Sequence, residues 1–234
     1  CIALQKIINT KEDNKGKKVF VCNGSACMTA GTQEALKEKL NREFKADEIG
    51  EMCCLGRCHE NSAFNYDGKN YSGNAVDEIE AIKTERSKPV DTYHVAAHGT
   101  PVLTEAFTHV NEYYKILAAA LSQSPEALLA ELKDSGLRGR GGAGFPIAFK
   151  LDSCRNSPGN QKFIVCNADE GDPGAYSDRY LMEQQPHSVL LGMMIAGYIV
   201  GADAGVLYIR AEYPESQEII QDAINHLLDE NLLG

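Results

Sequence analysis

Residues Leu137–Lys150 read LRGRGGAGFPIAFK, a run in which Gly139, Gly141, Gly142 and Gly144 surround Arg140 and Ala143 before Phe145-Pro146 closes it. A main chain without Cβ atoms can approach a ligand closely. Its successive N–H groups can form an anion-binding concavity, and Arg140 adds a permanent positive charge. The letters also satisfy G-x-G-x-x-G through Gly139, Gly141 and Gly144. A dinucleotide-binding Rossmann unit needs a strand directly before such a loop. What precedes it is Ser124-Pro125-Glu126 and then ALLAELKDSG, which spells a helix. Ser124 is its N-cap, Pro125 its first residue, Leu128, Leu129 and Leu132 its apolar face, and Gly136 its stop. The ordinary Rossmann reading therefore fails. A phosphate cradle of another architecture and a glycine-rich surface turn remain.

The 234 residues suffice for one large or two ordinary domains. Residues 1–90 hold 14 basic and 14 acidic side chains, whereas residues 91–234 hold 9 and 19, so the net charge of −10 arises in the C-terminal part. That distribution argues against a nucleic-acid surface. The longest apolar run, Val189–Val200, contains two glycines and is too short to span a bilayer. No direct membrane span and no signal peptide are expected. Five of the eight cysteines fall between Cys22 and Cys58, which points to a metal site in a reducing, cytoplasmic setting rather than a disulfide scaffold.

Residues 1–15 form an N-terminal segment with a short apolar helix expected over Ile2–Ile8. Lys18–Val21 reads as a strand, Gly31–Phe44 as a helix through Ala35, Leu36, Leu40 and Phe44, and Ile49–Met52 as a second strand. Ala63–Tyr66 and Lys69–Tyr71 flank Asp67-Gly68, a strong hairpin signal. Asn74–Ile82 closes the unit as an amphipathic helix. The order β-α-β-β-β-α is that of a small α/β domain over residues 16–86.

The cysteines sit at its strand-to-loop corners, as Cys22-x4-Cys27 and Cys54-x3-Cys58. Four thiolates can hold a [2Fe–2S] cluster, and loops past strand ends can aim N–H groups at its sulfurs. Zinc is the rival, although zinc ribbons favour C-x2-C pairs, and a merely buried or disulfide-linked set is the plain alternative. Cys53 is expected to be a packed non-ligand and His59 a solvent-facing loop residue. VCNGSAC…CCLGRC followed by the DG hairpin resembles the thioredoxin-like [2Fe–2S] ferredoxins that partner or fuse with NADH dehydrogenases.

Residues 87–108 read as a linker, with Pro89 and Gly99-Thr100-Pro101 arguing against a helix that would present His94 and His98 together. Residues 109–234 alternate helix and strand, the signature of an α/β domain with a mostly parallel sheet. Helices are expected over Val110–Leu121, Pro186–Val200 and Ser216–Leu233, and strands over Phe163–Cys166 and Val206–Arg210. Asn167, Asp169, Glu170 and Asp172 follow the first of these strands, where open α/β sheets place ligand groups. Ionised carboxylates there accept hydrogen bonds only, which suits ribose hydroxyls or a ring N–H; solvated turn residues are the plain reading.

GLRGRGGAGFP, NADEGDPGAYSDR and LYIRAEYP resemble, in order and spacing, the flavin-bearing, NADH-oxidising subunit of complex I. The forms GDPGAYSDR and RAEYP are most similar to the β subunits of NAD-linked, electron-bifurcating [FeFe]-hydrogenases and their formate-dehydrogenase relatives, which carry the fused ferredoxin domain. The resemblance implies FMN held by Gly139, Arg140, Gly141, Gly142, Ala143, Gly144 and Lys150, with Asn167, Asp169 and Glu170 beside it. It implies Phe145 against the NADH adenine, Glu170 at the nicotinamide side, and Tyr208 and Glu212 lining the pocket. Asp172, Ala211 and Ser153 depart from the family pattern, which has Glu, Gly and in some members an aromatic there. The family continues into a further cofactor loop and a [4Fe–4S] domain, so this chain is expected to be part of a longer subunit.

The function implied is passage of electrons between NADH, FMN and iron–sulfur clusters, in company with other redox subunits. These would be a hydrogenase or dehydrogenase catalytic subunit and a small [2Fe–2S] subunit, with ferredoxin as a further partner. The alternative is a non-catalytic electron-transfer or scaffold subunit with an empty flavin site.

Overall fold

The computed structural model describes residues 2–3, 15–85, 96–105 and 107–234. Ile2–Ala3 form a strand, β1, and not the start of a helix, while residues 4–8 of the expected helix lie outside the described residues. β1 pairs in parallel with Gly205 and Val206 of a distant strand, so an open sheet edge overrides a weak local helix pattern.

The first unit runs β2 (Val19–Cys22), α1 (Ser25–Ala30), α2 (Gln33–Glu43), β3 (Ile49–Met52), β4 (Phe64–Tyr66), β5 (Lys69–Tyr71) and α3 (Ile79–Glu85). Its sheet order is β3-β2-β4-β5, with β2 and β3 parallel and the other pairs antiparallel. The Asp67-Gly68 turn has φ of +50° and +76°, the positive pair that a tight hairpin of right-twisted strands requires. α2 seals the sheet with Leu36 and Leu40 against Val19, Val21 and Phe64. The expected helix from Asn74 breaks into a 3-10 turn, Gly73–Asp77, and α3, with Glu78 outside helical geometry at φ −115° and ψ 20°. α1 has no sequence periodicity to announce it; Gly31, at φ +69°, ends it.

The second unit runs α4 (Val110–Tyr113), α5 (Lys115–Leu121), α6 (Pro125–Asp134), α7 (Ile147–Asn156), β6 (Phe163–Ala168), α8 (Ser177–Gln184), α9 (Pro186–Val200), β7 (Ala204–Ile209) and α10 (Pro214–Asp229). The single helix expected over Val110–Leu121 is two. β6, β7 and β1 pair in parallel, β7 in the centre. Ser124 caps α6 as expected, its side chain accepting from Ala127 N. α9 and α10 bury Leu190, Ile199, Ile220 and Leu227 completely. Each fully buried aliphatic side chain contributes about 1.5–3 kcal/mol of transfer free energy. Phe107, from the expected linker, stacks on His187 at 4.5 Å, and Gln185 Nε2 donates to Glu105 O at 2.8 Å, so that stretch is tied to the second unit. Of the predicted histidine pair, His94 lies outside the described residues and His98 is exposed. Among the described residues no helix is long and apolar enough to cross a membrane.

Candidate functional site

β2 ends at Cys22 and α1 carries Cys27, while Cys54 and Cys58 bracket the loop after β3. Cys22, Cys27 and Cys54 are buried and Cys58 is half-buried. Cys54 and Cys58 stand 3.2 Å apart at sulfur, and the Gly24 N–H points at Cys22 Sγ from 3.4 Å. Hydrogen bonding between thiols links the four into one series, Cys27–Cys22–Cys54–Cys58. Cys22 and Cys58 are pushed up by their thiol neighbours. Cys27, beside Cys22, and Cys54, beside Cys22 and then Cys58, are pushed down. Among the described residues no three His, Cys, Asp or Glu converge on one metal-ion position. Four neighbouring thiols are a donor set that either a zinc ion or a [2Fe–2S] cluster could use. Cys53 is exposed rather than packed, at the bend that follows β3, while Cys54 beside it is buried. His59 is half-buried against the Tyr176 ring at 5.0 Å, and so does not face solvent.

The carboxyl ends of β6 and β7 form the second part. Their register sets Asn167 beside Tyr208 on one uncovered sheet face, below which Val165 and Phe163 are also exposed. Asn167 Oδ1 accepts from Asp169 N at 3.2 Å. Glu170 is the N-terminal cap of α8: its carboxylate accepts from Ser177 Oγ at 3.0 Å and from the N–H groups of Asp178 and Arg179 at 3.2 and 3.3 Å. Arg210 Nη1 donates to Glu170 O at 2.5 Å and its Nε to Glu212 Oε2 at 3.3 Å, joining the two loops.

The glycine loop is the third part. Gly139 N donates to Phe145 O at 2.9 Å and Arg138 Nε to Gly144 O at 2.5 Å, closing the loop on itself. Gly144 takes φ +63°, and a Cβ built on Gly141 or Gly142 meets nothing within 4 Å. The backbone is thus presented to open space. Phe145 is exposed and packs edge-on to Phe149 at 5.5 Å, with Lys150 Nζ 6.0 Å over its ring. Phe149, more exposed still, is absent from the residues that the sequence singles out, although its i+4 spacing from Phe145 was the available signal. A cavity of about 840 Å³ lies between α6 and α7 under the loop's stem at Gly136, Leu137, Arg138 and Pro146. It does not touch Asn167, Asp169, Glu170, Tyr208 or Glu212. The structure therefore joins the cysteines to the strand-end loops, and leaves the glycine loop as a separate wall.

The joining residues were invisible in sequence. Arg179, fully buried, donates from Nη1 to Gly56 O at 2.8 Å while its Nε meets Glu183 Oε1 at 2.9 Å. Asn70 Nδ2 donates to Glu212 O at 2.7 Å and Asn70 N to Glu215 Oε1 at 2.6 Å.

Residues 132–231 match the family model of the Nuo51 FMN-binding domain. The chain is 31% identical over 248 residues to the NAD-reducing hydrogenase HoxS subunit alpha of Cupriavidus necator, covering 93% of this chain and 40% of that one. It is 46% identical over 121 residues to the NADP-reducing hydrogenase subunit HndC of Solidesulfovibrio fructosivorans, covering 52% and 24%. It is 43% identical over 121 residues to a subunit of the NADH-quinone oxidoreductase of Aquifex aeolicus, covering 52% and 28%. A solved NAD+-reducing [NiFe]-hydrogenase, in its air-oxidised state, matches with a TM-score of 0.68 and 26% identity over 92% of this chain and 41% of that one. These matches support a flavoprotein of the complex I 51K type. The chain spans 24–40% of the length of these curated relatives.

Proposed function

We propose that this chain is the electron-entry part of an NADH-oxidising flavin and iron–sulfur subunit, working in a multi-subunit redox complex. The match of residues 132–231 to the Nuo51 FMN-binding domain carries the reading. Flavin supplies hydride acceptance from NADH and one-electron delivery to iron–sulfur centres. Gly139–Gly144, with Arg140 and Lys150, would hold the FMN phosphate arm through main-chain N–H groups and positive charge. Asn167, Asp169, Glu170, Tyr208 and Glu212 would border the ring from the carboxyl ends of the strands. Phe145, with Phe149 beside it, offers an aromatic face for adenine. Cys22, Cys27, Cys54 and Cys58 would hold a [2Fe–2S] cluster in a thioredoxin-like domain of residues 16–86, with 87–108 as linker and 109–234 as the FMN/NAD domain.

The partners are other iron–sulfur or hydrogenase subunits, with any [4Fe–4S] centre lying outside this chain, and the setting is cytoplasmic. Electron bifurcation is the form taken by the subunits whose GDPGAYSDR and RAEYP motifs this chain shares. The test is to purify the intact subunit and assay for flavin fluorescence on denaturation, bleaching of flavin absorbance by NADH, and a reduced-cluster paramagnetic signal. Iron and acid-labile sulfide without flavin would leave an electron-transfer scaffold in place of an NADH oxidase.

A further inference from the structure

One hydrogen bond crosses the seam between the two units directly onto a cysteine. Gly174 N donates to Cys58 Sγ at 3.0 Å, from a loop 116 residues further along the chain. Resting on the cluster reading above, we propose that Gly174 is a positioning residue for that cluster. Its N–H, lent by the flavin-side domain, ties the cluster's one-electron equilibrium to the docking of the two domains.

The donor is built rather than incidental. Ala175 N closes the turn onto Asp172 O at 3.0 Å, and Gly174 adopts φ +94°, a conformation L side chains rarely take. Tyr176, two residues on, packs on His59, which directly follows Cys58. Arg179 grips Gly56 O from the same side, two residues before Cys58. Gly56 is itself an approach point: a Cβ there would lie 2.6 Å from Tyr213 Cε1 and 2.9 Å from Arg179 Cδ. Asn70 clamps the other end through Glu212 O and Glu215. In the first domain Gly24 N–H serves a different cysteine, Cys22.

One-electron reduction adds one negative charge to the cluster, shared onto its sulfurs. A donor to a ligand sulfur bonds the more negative state more strongly, so it raises the potential. By linkage, reduction strengthens the N–H···S bond and hence the docking, by the same factor that docking favours reduction. The loop involved also carries Glu170, so the cluster's charge state reaches the loop proposed to border the flavin.

The test is a dithionite titration of the intact protein, read by the paramagnetic signal of the reduced cluster. Gly174→Pro removes the N–H and, with φ locked at about −65°, also forces the turn away from +94°; Gly174→Ala keeps the N–H at a smaller strain, and Asn70→Ala loosens the seam without touching the loop. Gly174→Pro should lower the equilibrium constant for reduction about tenfold, about 59 mV for one electron. Asn70→Ala should move the midpoint the same way, and Gly174→Ala clearly less than Gly174→Pro. A midpoint unmoved in both Gly174→Pro and Asn70→Ala, with the cluster present, overturns the proposal and leaves the cluster reading intact. If Gly174→Pro loses the cluster, Asn70→Ala decides: a lowered midpoint supports the proposal and an unmoved one ends it. A wild-type protein with no paramagnetic signal would remove the cluster reading, and the proposal with it.

Discussion

Glycines that expose backbone and cysteines that turn inward are the residues on which the two proposed cofactors rest. Gly141 and Gly142 border nothing within 4 Å, so a side chain there costs the folded protein little contact. Gly141→Val, at a position without the positive φ of Gly142, should therefore leave far-ultraviolet dichroism unchanged and weaken FMN binding at least tenfold, about 1.4 kcal/mol. Unchanged flavin content in that variant would return Leu137–Lys150 to the status of a surface turn. The adjacent thiols Cys53 and Cys54 make a sharper pair. Cys54 is buried and bonded to Cys22 and Cys58, whereas Cys53 is exposed. Cys54→Ser should abolish the paramagnetic signal and Cys53→Ser should leave it. The reverse result would shift the ligand set by one residue.

At the scale of elements, α9 and α10 form the apolar floor under the strand-end loops, and one polar defect lies between them. His187, near the start of α9, accepts or donates with Tyr114 Oη at 3.2 Å, stacks on Phe107 and lies edge-on to His226 at 5.5 Å. Burial, and then His226, lower its pKa from 6.5. A depressed histidine is neutral in the fold, and the unfolded chain takes its proton first. Stability should thus fall as pH drops through 6.5 towards the folded value, and be insensitive to His187 above that range. Asp178, raised by burial and Glu170, acts oppositely, gaining stability as pH falls through its raised value towards 3.8. The difference between wild type and His187→Gln is therefore the readout. Urea midpoints at pH 8 and pH 5.5 should diverge less in the variant; an equal divergence would discard His187 as the source.

For the molecule as a whole, the seam packs the two sheet-bearing units against each other. Arg179 and Glu183, both almost fully buried, pair across a turn of α8 while Arg179 also bonds Gly56 O. Glu183→Ala takes an ion-pair partner from the buried Arg179, and breaking a buried pair typically costs about 3–5 kcal/mol. Gly56→Val adds bulk against Tyr213 and Arg179 and should separate the domains with the second domain's core intact. Limited proteolysis reads this directly: the variant should be cleaved between residues 86 and 108 faster than wild type. Equal cleavage would show that the seam does not hold the domains together.

Sequence alone determined the elements with strong local signals. Asp67-Gly68 dictated a hairpin, Ser124-Pro125 opened a helix, and Pro186–Val200 was helical to the residue, because turn chemistry, capping and apolar period act within a few residues. The gathering of four cysteines and the exposure of the glycine loop were legible too, since residue types at fixed spacing are written directly in the sequence. The helix break at Glu78, the strand at Ile2–Ala3 and the unannounced α8 were not, because distant partners decide them. Only the tertiary structure made Glu170 a helix cap, turned Cys53 outward and brought Gly174 to Cys58. Those contacts join residues up to 145 positions apart, as Asn70 and Glu215 do, and no local pattern encodes a hydrogen bond of that span.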